Sequence, residues 1–238
     1  MQRFLAIVFF LAAVLAIDQL VDARTQLLLG AATWGALLLA CRAVPPEQRA
    51  QAAVVVVVAT GAEITGSIIW GVYTYRLENL PSFVPPAHGL VYLAGFALSG
   101  WAARDSRVLV GVALVTVLAW ATAGLTVLSR ADVGGAFGAV LLSYYLLRGR
   151  APALYAGVFL VVAALELYGT AIGTWTWAET IPGTGIPNGN PPSGVASGYV
   201  WFDVIALALA PRLLAVTHRL KSHSKRRFSP AREAPAEA

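Results

Sequence analysis

The sequence predicts an all-α polytopic membrane protein of about eight transmembrane helices, built as two parallel four-helix repeats. Three observations lead there. Of the 238 residues, 58% are hydrophobic and only 12% charged, and the charges sit in short clusters between long uncharged runs. The basic clusters fall in alternate turns. One stretch of sequence also recurs, with four spans separating its two copies.

A hydrocarbon core about 30 Å thick takes roughly 20 apolar helical residues to cross. The first predicted helix, 4–20, is the apolar run behind Arg3. An arginine in that place can also open a signal peptide, but no small-residue cleavage site follows and the next span starts almost at once, which favours a retained helix. The second helix, 26–42, closes on Arg42, and the third, 52–75, opens on the valine run Val54 to Val58. The fourth, 87–103, begins behind Pro85-Pro86. The fifth, 107–129, and the sixth, 133–147, are parted by Arg130-Ala131-Asp132. The seventh, 152–176, starts at Pro152 after Arg148 and Arg150, and the eighth, 197–217, ends on a basic segment.

Residues 1–103 are then the first repeat and 104–217 the second. Residues 218–238 are basic and then rich in Ala, Pro and Glu, a composition that cannot bury enough apolar surface to fold alone. They read as a disordered cytoplasmic tail, able to touch anionic headgroups.

With eight spans both termini share one side, which also receives the turns carrying Arg42 and Arg49, Arg104 and Arg107, and Arg148 and Arg150. Only Arg24, Arg76 and Arg130, three of the 17 basic residues, fall on the other side. The positive-inside rule makes the richer side cytoplasmic, which places the chain in the inner membrane with both termini inside. The net charge of +5 is therefore topology and implies no nucleic-acid partner.

The repeat lies in the third and seventh helices. Glu63-Ile-Thr-Gly66-Ser-Ile-Ile-Trp70-Gly71-Val-Tyr73-Thr-Tyr75 matches Glu166-Leu-Tyr-Gly169-Thr-Ala-Ile-Gly173-Thr-Trp175-Thr-Trp177. Each has Glu, Gly three later, a second Gly near the next turn, and two aromatics spaced by two. Downstream, Pro85-Pro86 and His88-Gly89-Leu-Val-Tyr92 correspond to Pro191-Pro192 and Ser197-Gly198-Tyr-Val-Trp201. Copies of one orientation predict parallel repeats about an axis along the membrane normal.

Glu63 and Glu166 are the candidate catalytic groups. Each stands 11 or 12 residues before the outer end of its predicted helix, roughly 17 Å deep at 1.5 Å per residue. An ionised carboxylate at mid-bilayer is costly, so such acids face an interior or watered cavity and mark a functional site. Gly66 and Gly169, one turn above, are expected to let another helix backbone approach. Trp70, Tyr73, Tyr75, Trp175 and Trp177 then read either as an interfacial aromatic belt or as the wall of a cavity above each Glu. His88, at the start of a helix where the imidazolium is disfavoured, is a candidate acid–base partner. Asp203 completes the buried acids, and Arg76 with Glu78 reads as a solvated surface pair. The loop 178–196 is long for a simple connection and could serve as a lid.

Cys41 is the only cysteine, and His88, His218 and His223 are not spaced as ligands, so no metal or other cofactor is expected. No serine-nucleophile elbow, phosphate-binding loop or metalloprotease helix occurs.

The Glu-x-x-Gly pattern, the Gly-x-Tyr-x-Tyr or aromatic pair, and the Pro-rich turn opening another helix resemble membrane carotenoid-modifying proteins, both the carotenoid hydratases and the duplicated lycopene cyclases. The resemblance covers 63–92 and 166–203. It implies acid-initiated addition to a terminal isoprenoid double bond, a lyase or isomerase reaction with Glu63 or Glu166 as acid and the aromatics shielding a cation. The Pro-x-Glu-Glu motif of the cyclases is replaced by Pro191-Pro192-Ser193-Gly194, and His88 stands where the hydratases would have an aromatic. Two other classes fit the residues: a carrier or binding protein whose paired Glu are protonation switches, and a non-catalytic membrane subunit whose Gly and Glu only hold helices together.

Overall fold

The computed structural model describes residues 1–227, and the side chains of 1–216. Eight helices account for most of the chain: α1 (Gln2–Asp18), α2 (Ala23–Arg42), α3 (Pro46–Glu63), α4 (Val84–Trp101), α5 (Ser106–Thr126), α6 (Val133–Arg148), α7 (Pro152–Ala171) and α8 (Ala196–Arg227). Local chemistry sets their starts. Proline, whose missing N–H costs nothing in a first turn, opens α3 and α7. Asp22 caps α2 by accepting from Thr25 N, and Asp132 caps α6 by accepting from Gly135 N.

Four short strands lie between the helices: β1 (Tyr73–Tyr75), β2 (Trp175–Trp177), β3 (Thr180–Ile181) and β4 (Ile186–Pro187). The expected helices 52–75 and 152–176 therefore stop short of their aromatic pairs. Gly71 at φ 72° and Gly173 at φ 79° break them, since a left-handed residue cannot continue a helix and only glycine adopts it without strain. Beyond each glycine the Tyr-Thr-Tyr and Trp-Thr-Trp triplets, β-formers throughout, pair antiparallel with Tyr73 opposite Trp177 and Tyr75 opposite Trp175. Flanking bonds repeat the relation, from Arg76 N to Thr174 O and from Ala178 N to Val72 O.

This pairing is self-complementary about Thr74 and Thr176, as a two-fold axis requires. Every matched position from Gly71/Gly173 to Arg76/Ala178 differs by 102, whereas Glu63 and Glu166 differ by 103. The first copy thus holds one more residue between Glu and the turn, and it falls where α3 continues as the π-helix Ile64–Trp70. A π-bulge is the usual way a helix absorbs an insertion.

Four helices form the centre. α3 packs most closely on α8 and α4 on α7, with α3 also against α4. The α4–α7 contact is a backbone contact, because a Cβ on Gly157 would lie 2.4 Å from Gly95 O. α1 and α2 flank α4, while α5 packs with α6 and α7. Tyr92, Val158, Phe159 and Val162 are fully buried between them.

By length and composition Pro46–Trp70, Ala103–Thr126, Pro152–Ala171 and Ala196–Val216 can cross a membrane, and Val133–Arg148 is a shorter apolar helix. Large apolar side chains cover the outside, with Phe9, Val57, Val115, Phe137 and Val140 all exposed. Such a surface fits a membrane protein and not a soluble one. α8 runs on to Arg227, into the segment expected as a tail from 218. Residues 228–238 lie outside the described residues.

Candidate active site

Because β1 and β2 fold back over the ends of α3 and α7, their rings point down onto the two glutamates. Tyr73 and Tyr75 each donate a hydroxyl bond of 2.7 Å to Glu63 Oε2. Trp175 and Trp177 donate their indole N–H groups to Glu166 Oε2 at 2.9 and 3.2 Å. Strand alternation explains the arrangement: residues two apart share a face, so both aromatics of a triplet reach one carboxyl while the central Thr points away.

Gly66 and Gly169 have a different part from the one expected. A Cβ on Gly169 would lie 2.2 Å from the Trp175 ring, and one on Gly66 would lie 3.0 Å from the Tyr73 ring. The glycines make room for the returning aromatics. Neighbouring helix backbones meet at Gly95 and Gly157 instead.

His88, in the second turn of α4, completes the Glu63 shell with Nε2 3.0 Å from Glu63 Oε1. It is 3% exposed, and among the described residues its Nδ1 has no hydrogen-bond partner. Tyr199 and Phe202 of α8 pack on the imidazole at ring-centroid distances of 5.4 and 6.2 Å.

Both carboxyls open onto one cavity of about 240 Å³. Its walls are mostly apolar: Leu11, Val14 and Leu15 of α1, Phe83 and Val91, Val162 and Leu165 of α7, and Phe202. Tyr73, Tyr75, Trp175, Trp177, His88 and Tyr199 supply the polar and aromatic remainder. The Tyr73 and Trp177 rings meet across the strand pair at a tilt of 46°, with centroids 4.6 Å apart.

Two candidates stand elsewhere. Trp70 is 51% exposed, off the cavity wall, with its Nε1 donating to Pro182 O. Asp203 is buried in α8 but does not line the cavity, and its Oδ2 has no hydrogen-bond partner among the described residues.

Arg76 and Glu78 are not a surface pair either. Arg76 reaches the buried Asp18, with Nε 3.6 Å from Oδ2 and Nη2 bonded to the carbonyls of Asp18 and Val21. Asp18 also accepts from Gln26 at 2.7 Å. The expectation fails because the strand pair carries Arg76 inward, toward the α1–α2 turn.

The loop 178–196 is fastened. β3 and β4 make a hairpin of it, and Asp132 accepts from Gly189 N and Ser193 N at 2.8 and 2.7 Å. Asp132 was not among the sequence candidates, nor were Tyr199, Phe202 and the α1 wall. Tyr199 lies within the repeated Ser197-Gly198-Tyr-Val-Trp201 stretch, and Leu11, Val14 and Leu15 follow helical spacing, so both left a trace. Asp132 left none beyond its place before a helix.

No protein-family model matches the chain, no curated protein is similar to it, and no solved structure matches its fold. The class of the protein rests on its own geometry: a helical membrane protein with two carboxyls in one apolar, aromatic-walled cavity.

Proposed function

We propose that this is an eight-span inner-membrane enzyme, with both termini cytoplasmic, that protonates a terminal double bond of an apolar isoprenoid of carotenoid type. The observation that carries the reading is the sharing of one apolar cavity by two differently held carboxyls, Glu63 and Glu166. Eight spans are supported by apolar side chains exposed on α1, α2 and α6 as well as on the four helices that are both long and apolar enough to cross a membrane, and by the one-sided arginines.

Glu166 is the proton donor. Its Oε2 already accepts two N–H bonds, and no described donor reaches Oε1, which is left to carry a proton toward the cavity. As that O–H bond breaks, the π electrons of the alkene form a C–H bond at its less substituted carbon and leave a tertiary cation at the terminal, dimethyl-bearing carbon. The rings of Tyr73, Tyr75, Trp175 and Trp177 face that charge. Glu63, held by three donors, acts as the carboxylate, and with His88 it accepts the proton released next. In hydration, water forms the C–O bond and gives up its proton there. In cyclisation, an internal double bond closes the ring and a neighbouring C–H supplies the proton.

The test is expression of the full chain in a carotenoid-producing host, followed by mass analysis of the pigments. Hydration adds the mass of one water, and cyclisation changes retention at constant mass. Unaltered pigment, with protein present in the membrane, overturns the reading. Substrate-dependent proton uptake without a chemical product would favour the carrier class.

A further inference from the structure

A second cleft, of about 430 Å³, lies at the other end of the bundle. It is walled by Ala6 and Ile7 of α1, Ala40 at the end of α2, and Leu93, Phe96 and Ala97 of α4. Arg3 is its one charged lining residue, and Pro45 and Gln48 bring the amino terminus of α3 to its edge. We infer that this cleft holds one acyl chain of an anionic phospholipid, with the headgroup phosphate against Arg3 and the start of α3.

Three features select that occupant. The wall is mostly apolar, with Arg3 and Gln48 its only polar side chains, and the cleft is large enough for a chain. Arg3 has no acidic partner among the described residues, so its charge is available to a headgroup. Arg49 does not line the cleft, but its Nε donates to the carbonyl of Val44, a lining residue. No side chain caps the first turn of α3, and although Pro46 has no N–H and that of Arg49 bonds Pro45 O, the N–H groups of Glu47 and Gln48 are left to complement a phosphate. Glu47, beside Gln48, is acidic but does not line the cleft. The cleft is also at the arginine-rich end, where the proposed topology puts the cytoplasmic leaflet.

The full chain, stripped of lipid in detergent, would be titrated with phosphatidylglycerol or phosphatidylcholine of identical acyl chains, with retention read by native mass spectrometry and stability by melting. One phosphatidylglycerol should be retained in preference to phosphatidylcholine and should raise the melting temperature. Arg3→Gln should cut that preference about fivefold, the effect of one basic residue at an anionic surface. Ala6→Trp, at an exposed position, should reduce retention of both lipids while melting as cooperatively as the parent. Equal retention of the two lipids, or an undiminished preference in Arg3→Gln, would overturn the proposal. Neither readout depends on catalysis at the other cavity.

Discussion

The two glutamates sit in the same backbone device and in different chemistry. Each lies below a glycine gap, a left-handed glycine and an aromatic strand that folds back on it. Above Glu63 the strand carries phenols, and α4 adds His88. Above Glu166 it carries indoles, and the position matching His88 is Ser197. A phenol both donates and accepts and imidazole does either, whereas an indole N–H only donates. The Glu63 shell can pass a proton onward, and the Glu166 shell can only hold one oxygen in place. The backbone frame recurs, and the side chains placed on it differ.

The largest effect should come from exchanging the acid itself. Glu166→Gln keeps an oxygen for both indoles, so the protein should fold, while conversion of substrate falls by about 10²–10⁴-fold, the usual contribution of a positioned general acid. Pigment yield normalised to membrane protein is the measurement, and near-parental conversion would remove the asymmetry between the shells.

The helix caps at equivalent turns sharpen the comparison on stability. Asp132→Ala strands three buried backbone N–H groups, at Gly135, Gly189 and Ser193, and should cost about 3–5 kcal/mol in detergent melting. A smaller loss, about 1–3 kcal/mol, is expected for Gly169→Ala, since its methyl would displace the Trp175 ring from Glu166. Gly66→Ala meets Tyr73 at a distance a slight shift relieves, so it should cost under about 1 kcal/mol. Equal losses in those two variants would mean that the glycine gaps do not serve the rings.

The smallest effect belongs to Asp22, the exposed counterpart of Asp132. Backbone and side-chain bonds from Thr25 hold its carboxyl below the usual range. A carboxyl lowered on folding stabilises at pH above its unfolded value, and that contribution disappears as pH falls through the folded one. Asp22→Ala should lower the melting temperature by about 2 °C at neutral pH and by nothing measurable in acid. A deficit that persists at low pH would assign the loss to packing.

Sequence alone determined the helical class, the position of most helix boundaries and the pairing of Glu63 with Glu166. Those follow from composition, proline placement and a recurring pattern, which are local or periodic signals. Apolar runs long enough to span leave little choice but helix in hydrocarbon. What happens beyond Gly71 and Gly173 was decided by tertiary structure. The spacing by two of Tyr73 with Tyr75 and of Trp175 with Trp177 suits a strand, but a triplet at the end of an apolar run is too short to stand alone, and only the presence of the other copy gives each strand its hydrogen-bond partner. The same pairing moved Arg76 inward to Asp18, turned two glycines from helix contacts into ring pockets, and left Trp70 outside. Asp132 shows the limit most clearly, because its partners at 189 and 193 lie about 60 residues downstream, and a single sequence carries no local mark of so distant a bond.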